Sequence, residues 1–239
     1  QNYTTPVYYI DGKANGIYNT IMEYTKTQYL NGNVAYFHHV GDMTANSSGY
    51  DENKFDYEFQ IASDAHHIID DVGMPNGVTP GNHDFHVVTK NQDNYVRPWY
   101  DKYFPATRYL GKPWYGGHFD NNYNSYTLVT IAGRDFIFLN LGFSSYPYEW
   151  ANHVLQKYQH RIGVVCAHSY LTSNGRLTSL GNIIFTHFVA PYPNVLMQLS
   201  GHVVLVDYNI RTFENDPKRK LYEIVVDHTR SEERRVGKE

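Results

Sequence analysis

Four short apolar segments of this chain each end on side chains of the kind that bind metal ions. The segments and the polar residues that follow them are 34–40 with Asp42, 73–80 with Asn82, His83 and Asp84, 161–167 with His168, and 194–200 with His202. Apolar runs of this length bounded by Gly or Pro are typical of buried strands. Because α/β sheets place ligands beyond the carboxyl ends of their strands, we expect these side chains to form one cluster at a sheet edge.

The segments between these runs favour an α/β fold. Residues 14–30 carry Ile17, Ile21 and Tyr24 at helical spacing, and residues 54–71 and 148–158 also have a helical period. Strands are predicted for 125–131 and 136–141, joined by a turn, and 203–213 with 221–226 for a closing antiparallel pair. At 239 residues with 41% hydrophobic side chains, the chain can bury one large core, so we predict a single domain.

Charge and hydropathy exclude several classes of partner. The formal net charge is -4 and the isoelectric point is near 6.4, so the sequence shows no basic footprint for nucleic acid or an anionic membrane. No run of eighteen apolar residues is present. If the protein binds a phosphorylated small molecule or polymer, the phosphate must be held locally, and a metal ion is the expected means. The sequence does not indicate an oligomeric state.

Two local features bear on the extent of the domain. The one cysteine, Cys166, lies in an apolar run, which predicts a small buried core residue and excludes a disulfide framework. Residues 230–239, RSEERRVGKE, lack apolar periodicity and resemble the translation of a sequencing adapter, as in an assembled environmental gene fragment. We expect one domain over residues 1–229, with a first strand missing, and a non-native tail over 230–239.

The predicted cluster combines carboxylate, amide and imidazole groups without a thiolate, which suits Mn, Fe or Zn. The structural alternative is that Asp42 and Asn82 are ordinary turn residues and that His168 and His202 are core histidines. Recurrence of such residues at four separate strand ends argues for the metal interpretation. A neutral amide such as that of Asn82 also adds an oxygen ligand without cancelling the charge of the metal.

The order of these motifs resembles the calcineurin-like metallophosphoesterase family over about residues 1–228. The matching motifs are Gly41-Asp42, Gly81-Asn82-His83-Asp84, the isolated His168 and Gly201-His202. The resemblance implies a four-layer α/β/β/α sandwich of two mixed sheets flanked by helices. It also implies two divalent ions and hydrolysis of a phosphate mono- or diester by a metal-bound hydroxide.

The resemblance also implies roles for single residues. Asp42 would bridge the two ions, and Asn82, His168 and His202 would complete the second ion's ligands. His83 would contact the phosphate and assist the leaving oxygen, while Asp84 would hold the imidazole of His83 in one tautomer.

Two departures from the family pattern reduce the ligands of the first ion. Gln1 matches the third position of the family's Asp-any-His motif, where some members have Gln, so the aspartate would precede the sequence. Val204 stands where the family's Gly-His-any-His motif has its second histidine. We therefore expect one ion to bind far better than two, and the alternative function is a catalytically degenerate binding module of the same fold.

The aromatic stretch of residues 90–124 is predicted to be a long ordered excursion beside the site. His118 in this stretch is a candidate substrate contact, and Trp99 with Trp114 suggests a third, carbohydrate-binding function. Residues 102–126 resemble a bacterial subgroup that is often exported with adhesion-type modules, which implies a location outside the cytoplasm. His39 is expected to be at most a neighbour of the ligands.

Overall fold

A seven-stranded mixed sheet is the largest element of the computed structural model, which describes residues 9–10, 13–14, 16–44, 52–87 and 95–227. The strands are β1 (Tyr9–Ile10), β2 (Lys13–Ala14), β3 (Phe37–His39), β4 (Asn76–Val78), β5 (His86–Val87), β6 (Tyr95–Val96), β7 (Tyr115–Phe119), β8 (Asn124–Ile131), β9 (Arg134–Leu141), β10 (Ile162–Ala167), β11 (Val195–Ser200), β12 (Val206–Phe213) and β13 (Asp216–Val226). The helices are α1 (Gly16–Leu30), α2 (Glu52–Asp70), α3 (Pro98–Tyr103), α4 (Tyr148–Lys157) and α5 (Ser179–Ile184). Short helical turns lie at Asn82–Asp84, Ala106–Arg108 and Phe185–Val189.

The large sheet has the order β12-β13-β11-β10-β9-β8-β7. Its four central strands, β13, β11, β10 and β9, are parallel, so their carboxyl ends share one edge. Antiparallel strands close both sides, with β12 on β13 and the β9-β8-β7 ladder opposite. Residues that follow β10 and β11 therefore emerge side by side at the same edge.

The parallel pair β3–β4 forms a second sheet layer over the large sheet. The ring of Tyr36 stacks on Phe138 of β9 at a centroid distance of 3.7 Å. Cys166 of β10 lies in the apolar cluster between the two sheets, fully buried and free, as the sequence predicts. Beside this layer is a largely apolar cavity of about 450 Å³, whose lining includes Tyr36, Phe138 and Leu199 but none of the four candidate ligands.

Helices cover the outer faces of both sheets. On the β3–β4 side, α1 and α2 contribute Met22, Ala65 and Ile69 to one buried cluster. On the far side of the large sheet, α4 and α5 pack onto the strands through side chains such as Leu155 and Ile184. The predicted four-layer α/β/β/α arrangement is confirmed, and among the described residues its second sheet is the parallel pair alone.

Helical periodicity identifies both long helices but only one of their buried faces. In α2, the apolar side chains at helical spacing are the buried ones, and Phe55 and Phe59 are at most 1% exposed. In α1, however, Ile21 is 50% and Tyr24 is 65% exposed, and Met22 is the side chain that is buried. The apolar spacing thus correctly predicts the helix but does not identify its buried face, because α1 turns Met22 and Tyr18 toward α2.

The aromatic excursion is ordered by a buried ion pair. Arg108 donates hydrogen bonds to Asp70 at 2.8 Å and to Ser63 Oγ at 2.7 Å, and the Arg108 and Asp70 side chains are 7% and 8% exposed. These contacts anchor residues 98–114 on α2. The excursion then adds β7 to the large sheet, a strand that the sequence did not predict because Gly116 and Gly117 interrupt its pattern.

No helix in the described part of the chain combines the length and apolar character needed to cross a bilayer. The predicted extents of the other strands agree with the structure to within a few residues. The division into residues 1–229 and a tail of 230–239 stays a prediction, because residues 228–239 lie outside the described ranges.

Candidate metal centre

Asp42 leaves the end of β3 on a turn of unusual backbone conformation. Its φ is 56° and that of Gly41 is 104°, and a non-glycine residue in this left-handed region is uncommon. One carboxylate oxygen, Oδ1, accepts a hydrogen bond from the backbone N–H of His83 at 3.0 Å. The other, Oδ2, lies 3.3 Å from His168 Nε2. Burial disfavours the charged carboxylate, but the contacts with His168 and His83 outweigh burial and lower the pKa of Asp42.

The turn Asn82–Asp84 follows β4, and the buried side chain of Asp84 holds it in place through hydrogen bonds. This carboxylate is 2% exposed, and it accepts hydrogen bonds from the backbone N–H groups of Gly81 at 2.7 Å and Thr44 at 3.0 Å. Burial and the charge of Asp42 raise the pKa of Asp84 to about 7. Asp84 thus joins the two loops that follow β3 and β4, while its predicted role in orienting the His83 imidazole stays a prediction.

His168 is held in a defined orientation at the end of β10. Its Nδ1 lies 2.7 Å from the carbonyl oxygen of Val40, so Nδ1–H donates there and Nε2 faces the cluster. Histidines that bind metals commonly donate their other ring N–H to a carbonyl in this way. Burial opposes protonation of His168, yet the nearby Asp42 carboxylate outweighs burial and raises the pKa of the imidazole.

His202 approaches from the end of β11, also in a left-handed conformation, with φ of 70°. Its main chain is fixed by the neighbouring Gly201, whose N–H donates to the carbonyl of His168 at 3.0 Å. Burial and the positive charge of His168 lower the pKa of His202. Its Nδ1 points inward, 2.9 Å from Asn82 Oδ1.

Three atoms of ligand type surround a fourth, His168 Nε2. The distance from His168 Nε2 is 3.0 Å to Asn82 Oδ1, 3.1 Å to His202 Nδ1 and 3.3 Å to Asp42 Oδ2. Ligand atoms about 2.0–2.1 Å from one ion lie roughly 3.0–3.4 Å from each other in octahedral or tetrahedral geometry. The ligand atoms of Asp42, His168 and His202 all lie within 4.8 Å of one another. This spacing fits one divalent cation.

Glycine is required at two positions because the loops meet without room for a side chain. A Cβ on Gly41 would lie 2.5 Å from His168 Nδ1 and 2.7 Å from the backbone nitrogen of Gly81. A Cβ on Gly81 would collide with the carboxylate of Asp42 and lie 2.7 Å from His168 Cε1. The glycines in the two sequence motifs therefore allow the ligands to converge.

A group of neutral histidines lies behind the candidate centre. Burial lowers the pKa of His39 to about 4 despite the opposing charge of Asp42, and lowers that of His66 well below its usual range. His39 Nδ1 accepts a hydrogen bond from the N–H of Gly41 at 3.2 Å. His66 Nε2 lies 2.9 Å from the hydroxyl of Tyr18. His39 is thus a neighbour of the ligand loop, as expected.

Three other predicted positions have different outcomes. Gln1 lies outside the described residues. Val204 is 45% exposed in the turn after His202. His118 is an exposed residue of β7, aligned through Ser125 and Asn140 with Cys166. Three strand spacings separate β7 from β10, about 14 Å. Contact of His118 with a substrate stays a prediction that requires an extended ligand.

The two tryptophans do not form an exposed surface on which a sugar ring could stack. Trp114 is 5% exposed and contributes to an internal aromatic cluster, and Trp99 stacks on Phe55 at 5.4 Å. Sugar rings bind to open aromatic faces, so the buried Trp114 cannot belong to a surface formed with Trp99 and the neighbouring tyrosines. The structure therefore argues against the carbohydrate-binding interpretation of these residues.

Sequence reasoning missed two residues that contact the ligand loops. Thr44 is 3% exposed, and its hydroxyl donates to the carbonyl of His83 at 2.8 Å, which links the loops that follow β3 and β4. Phe143 lies edge-on to the His168 ring at a centroid distance of 5.8 Å. The position of Thr44 two residues after Asp42 was the available signal, while nothing local distinguishes Phe143 from a packing residue.

Two known proteins are similar to this chain over most of its length. The chain is 30% identical over 218 residues to the uncharacterized protein YvnB of Bacillus subtilis (strain 168), a match that covers 89% of this chain and 16% of that protein. It therefore spans about a sixth of that relative's length. The crystal structure of TT1561 of Thermus thermophilus aligns with 86% of this chain and 82% of that chain, at 13% identity and a TM-score of 0.45.

The family model for calcineurin-like phosphoesterases matches residues 14–205, a range that includes all four polar strand ends. Its members are metal-dependent hydrolases of phosphate esters, in keeping with a candidate metal site formed by Asp42, His168 and His202. This chain belongs to the calcineurin-like phosphoesterase family.

Proposed function

We propose that this chain hydrolyses a phosphate mono- or diester with a divalent ion, Mn, Fe or Zn, held by Asp42, Asn82, His168 and His202. The bound ion would act as a Lewis acid that neutralises phosphate oxygens and lowers the pKa of water, so that hydroxide forms near neutral pH. The substrate would be a phosphorylated small molecule or polymer, recognised by the surrounding loops.

The observation that supports this proposal most is the set of acceptors around His168 Nε2. If Nε2 carried a proton, its single N–H could satisfy well only one of Asp42 Oδ2, Asn82 Oδ1 and His202 Nδ1. Without an ion, His202 would have to donate from Nδ1 to Asn82 Oδ1 while His168 donates from Nε2 to Asp42, and the two donating nitrogens would then lie only 3.1 Å apart. A cation satisfies all four groups together, which is why we prefer the metal site to a simple His–Asp ion pair.

Side chains of the protein would supply the ligand charge and the proton for the leaving oxygen. Asp42 supplies the negative charge, and Asn82 adds an oxygen without further charge. The main chain of His83 is fixed at both ends, because its N–H binds Asp42 and its carbonyl accepts from Thr44. Its imidazole would therefore start from a rigid backbone, and we assign it the protonation of the leaving oxygen.

A catalytically degenerate binding module is the second candidate, and Val204 favours it. Valine cannot bind a metal, and Val204 is exposed two residues after the left-handed His202. Without a ligand at this position the chain would hold one ion much better than the two of an intact family site. One ion can keep a phosphate bound while hydrolysis is slow or absent.

The test compares two alanine variants of histidines with different positions. His168→Ala removes the central ligand, whereas His153→Ala removes an exposed histidine of α4. We would measure Mn²⁺ and Zn²⁺ affinity by calorimetry, and hydrolysis of p-nitrophenyl phosphate and its bis ester. His168→Ala should lose ion binding and turnover while His153→Ala keeps both.

The outcomes separate the two candidates. Ion binding that depends on His168 without turnover of either ester would support the binding module. Turnover by His168→Ala at the wild-type rate, or absence of ion binding in the wild type, would overturn the metal-site proposal.

A further inference from the structure

We infer that His39 is a positioning residue for the candidate metal centre, in which its imidazole fixes the turn that carries Asp42. The inference rests on the proposed function only in taking Asp42 as a ligand. Nothing in the family motifs assigns this role, since His39 precedes the Gly41-Asp42 motif.

The backbone N–H of Gly41 has its partner in a side chain. The β3–β4 ladder ends with Thr79, whose N–H donates to the carbonyl of His39 at 2.9 Å. Gly41 lies beyond the ladder, and its N–H donates instead to His39 Nδ1 at 3.2 Å. A side-chain acceptor that binds the N–H two residues later closes the same ring as an Asx-turn, so His39 caps its own strand.

The conformation that this hydrogen bond supports is one that the backbone does not favour by itself. Gly41 and Asp42 both have positive φ, 104° and 56°, which glycine adopts freely but aspartate rarely does. Such residues persist only where the surroundings determine their conformation. The capped turn directs the Asp42 carboxylate to its contacts with the N–H of His83 and with His168 Nε2.

The imidazole that forms the cap is itself held by two helices. Its ring lies 6.0 Å from the ring of Tyr18 in α1 and 5.8 Å from that of His66 in α2. The Tyr18 hydroxyl and His66 Nε2 are 2.9 Å apart, which fixes the two neighbours relative to each other. The orientation of His39, and through it that of Asp42, is therefore set by the helical layer.

The test uses two substitutions that both remove the ring. Asn carries its Oδ1 the same number of bonds from the backbone as His Nδ1 and can close the Asx-turn, whereas Gln carries its oxygen one bond further out. Both variants lose the packing on Tyr18 and His66, so their metal-free stabilities should fall together. His39→Gln should weaken Mn²⁺ binding about 10-fold or more, as removal of groups that orient ligands does. His39→Asn should bind Mn²⁺ close to the wild-type affinity.

Calorimetric Mn²⁺ titrations of chelator-treated protein, with thermal unfolding of the metal-free forms, distinguish the outcomes. Equal affinities for His39→Asn and His39→Gln, or wild-type affinity in His39→Gln, would overturn the inference while leaving the proposed function intact. Failure of the wild type to bind any ion would overturn both. His38→Asn, on the opposite face of β3, is the control and should lower stability without changing ion affinity.

Discussion

The substitution Gly81→Ala provides a sharp test of the candidate centre because it adds one methyl group at the point where the loops meet. Gly81 has φ of -100° and ψ of -177°, which any residue can adopt, so alanine introduces no backbone strain. Any effect must come from the new Cβ atom. That atom would collide with the Asp42 carboxylate and lie 2.7 Å from His168 Cε1.

The size of the effect follows from these contacts. To reach an ordinary separation of 3.4 Å, the His168 ring must move by about 0.7 Å, and Asp42 must also move. Metal–ligand distances tolerate changes of only about 0.2 Å. We therefore expect ion affinity to fall by about 10- to 100-fold, equivalent to roughly 1.4–2.7 kcal/mol. Overpacking should lower the free energy of unfolding of the metal-free protein by about 1–3 kcal/mol.

The matched control is Gly163→Ala on β10. Its Cβ would lie 2.8 Å from Val195 Cγ2, a milder steric conflict that still overpacks the core, about 16 Å along the strand from His168. Urea unfolding should show a loss of stability in both variants, and calorimetry should show weaker Mn²⁺ binding only in Gly81→Ala. Unchanged ion affinity in Gly81→Ala would refute the reasoning that Asp42 and His168 bind a common ion.

Three further predictions concern the scaffold and the buried histidines. Asp70→Asn leaves the buried Arg108 without its carboxylate and should lower the free energy of unfolding by about 3–5 kcal/mol in urea titrations; a loss below about 1 kcal/mol would contradict a structural role for the pair. Thr178→Ala removes the hydroxyl that accepts from the N–H of Gly181 at 2.9 Å at the start of α5 and should cost about 1 kcal/mol, which Thr178→Ser should restore if the cap is responsible. Burial lowers the pKa of His38 to about 3, below its usual value of 6.5, so the unfolded chain takes up the proton first and stability is lost as pH falls from about 6.5 toward 3. His38→Phe should reduce the loss of metal-free stability between pH 6.5 and pH 3 by about 5 kcal/mol, and an unchanged loss would show that His38 titrates normally.

Much of the candidate site could be predicted because each of its motifs is local. An apolar run followed by Gly41-Asp42, by Gly81-Asn82 or by His168 indicates a buried strand that delivers a polar side chain at its end. Apolar periodicity reflects contacts between near neighbours, and the helix α2 with its buried Phe59 was predictable for the same reason.

The contacts between these motifs were decided by the tertiary structure. His168 Nδ1 bonds to Val40, 128 residues away in the sequence, and this contact selects the nitrogen that faces the cluster. Asp84 binds the main chain of Gly81 and Thr44, a pairing that no local pattern specifies.

The sequence by itself determined which residue types stand at the strand ends, and therefore the kind of chemistry that the site can support. It did not determine that Met22 rather than Ile21 would be buried in α1, or that His118 would lie about three strand spacings from β10. Strand order, loop crossing and helix rotation depend on packing between segments far apart in the chain. Their energies are collective, so only the assembled layers could fix where each side chain points.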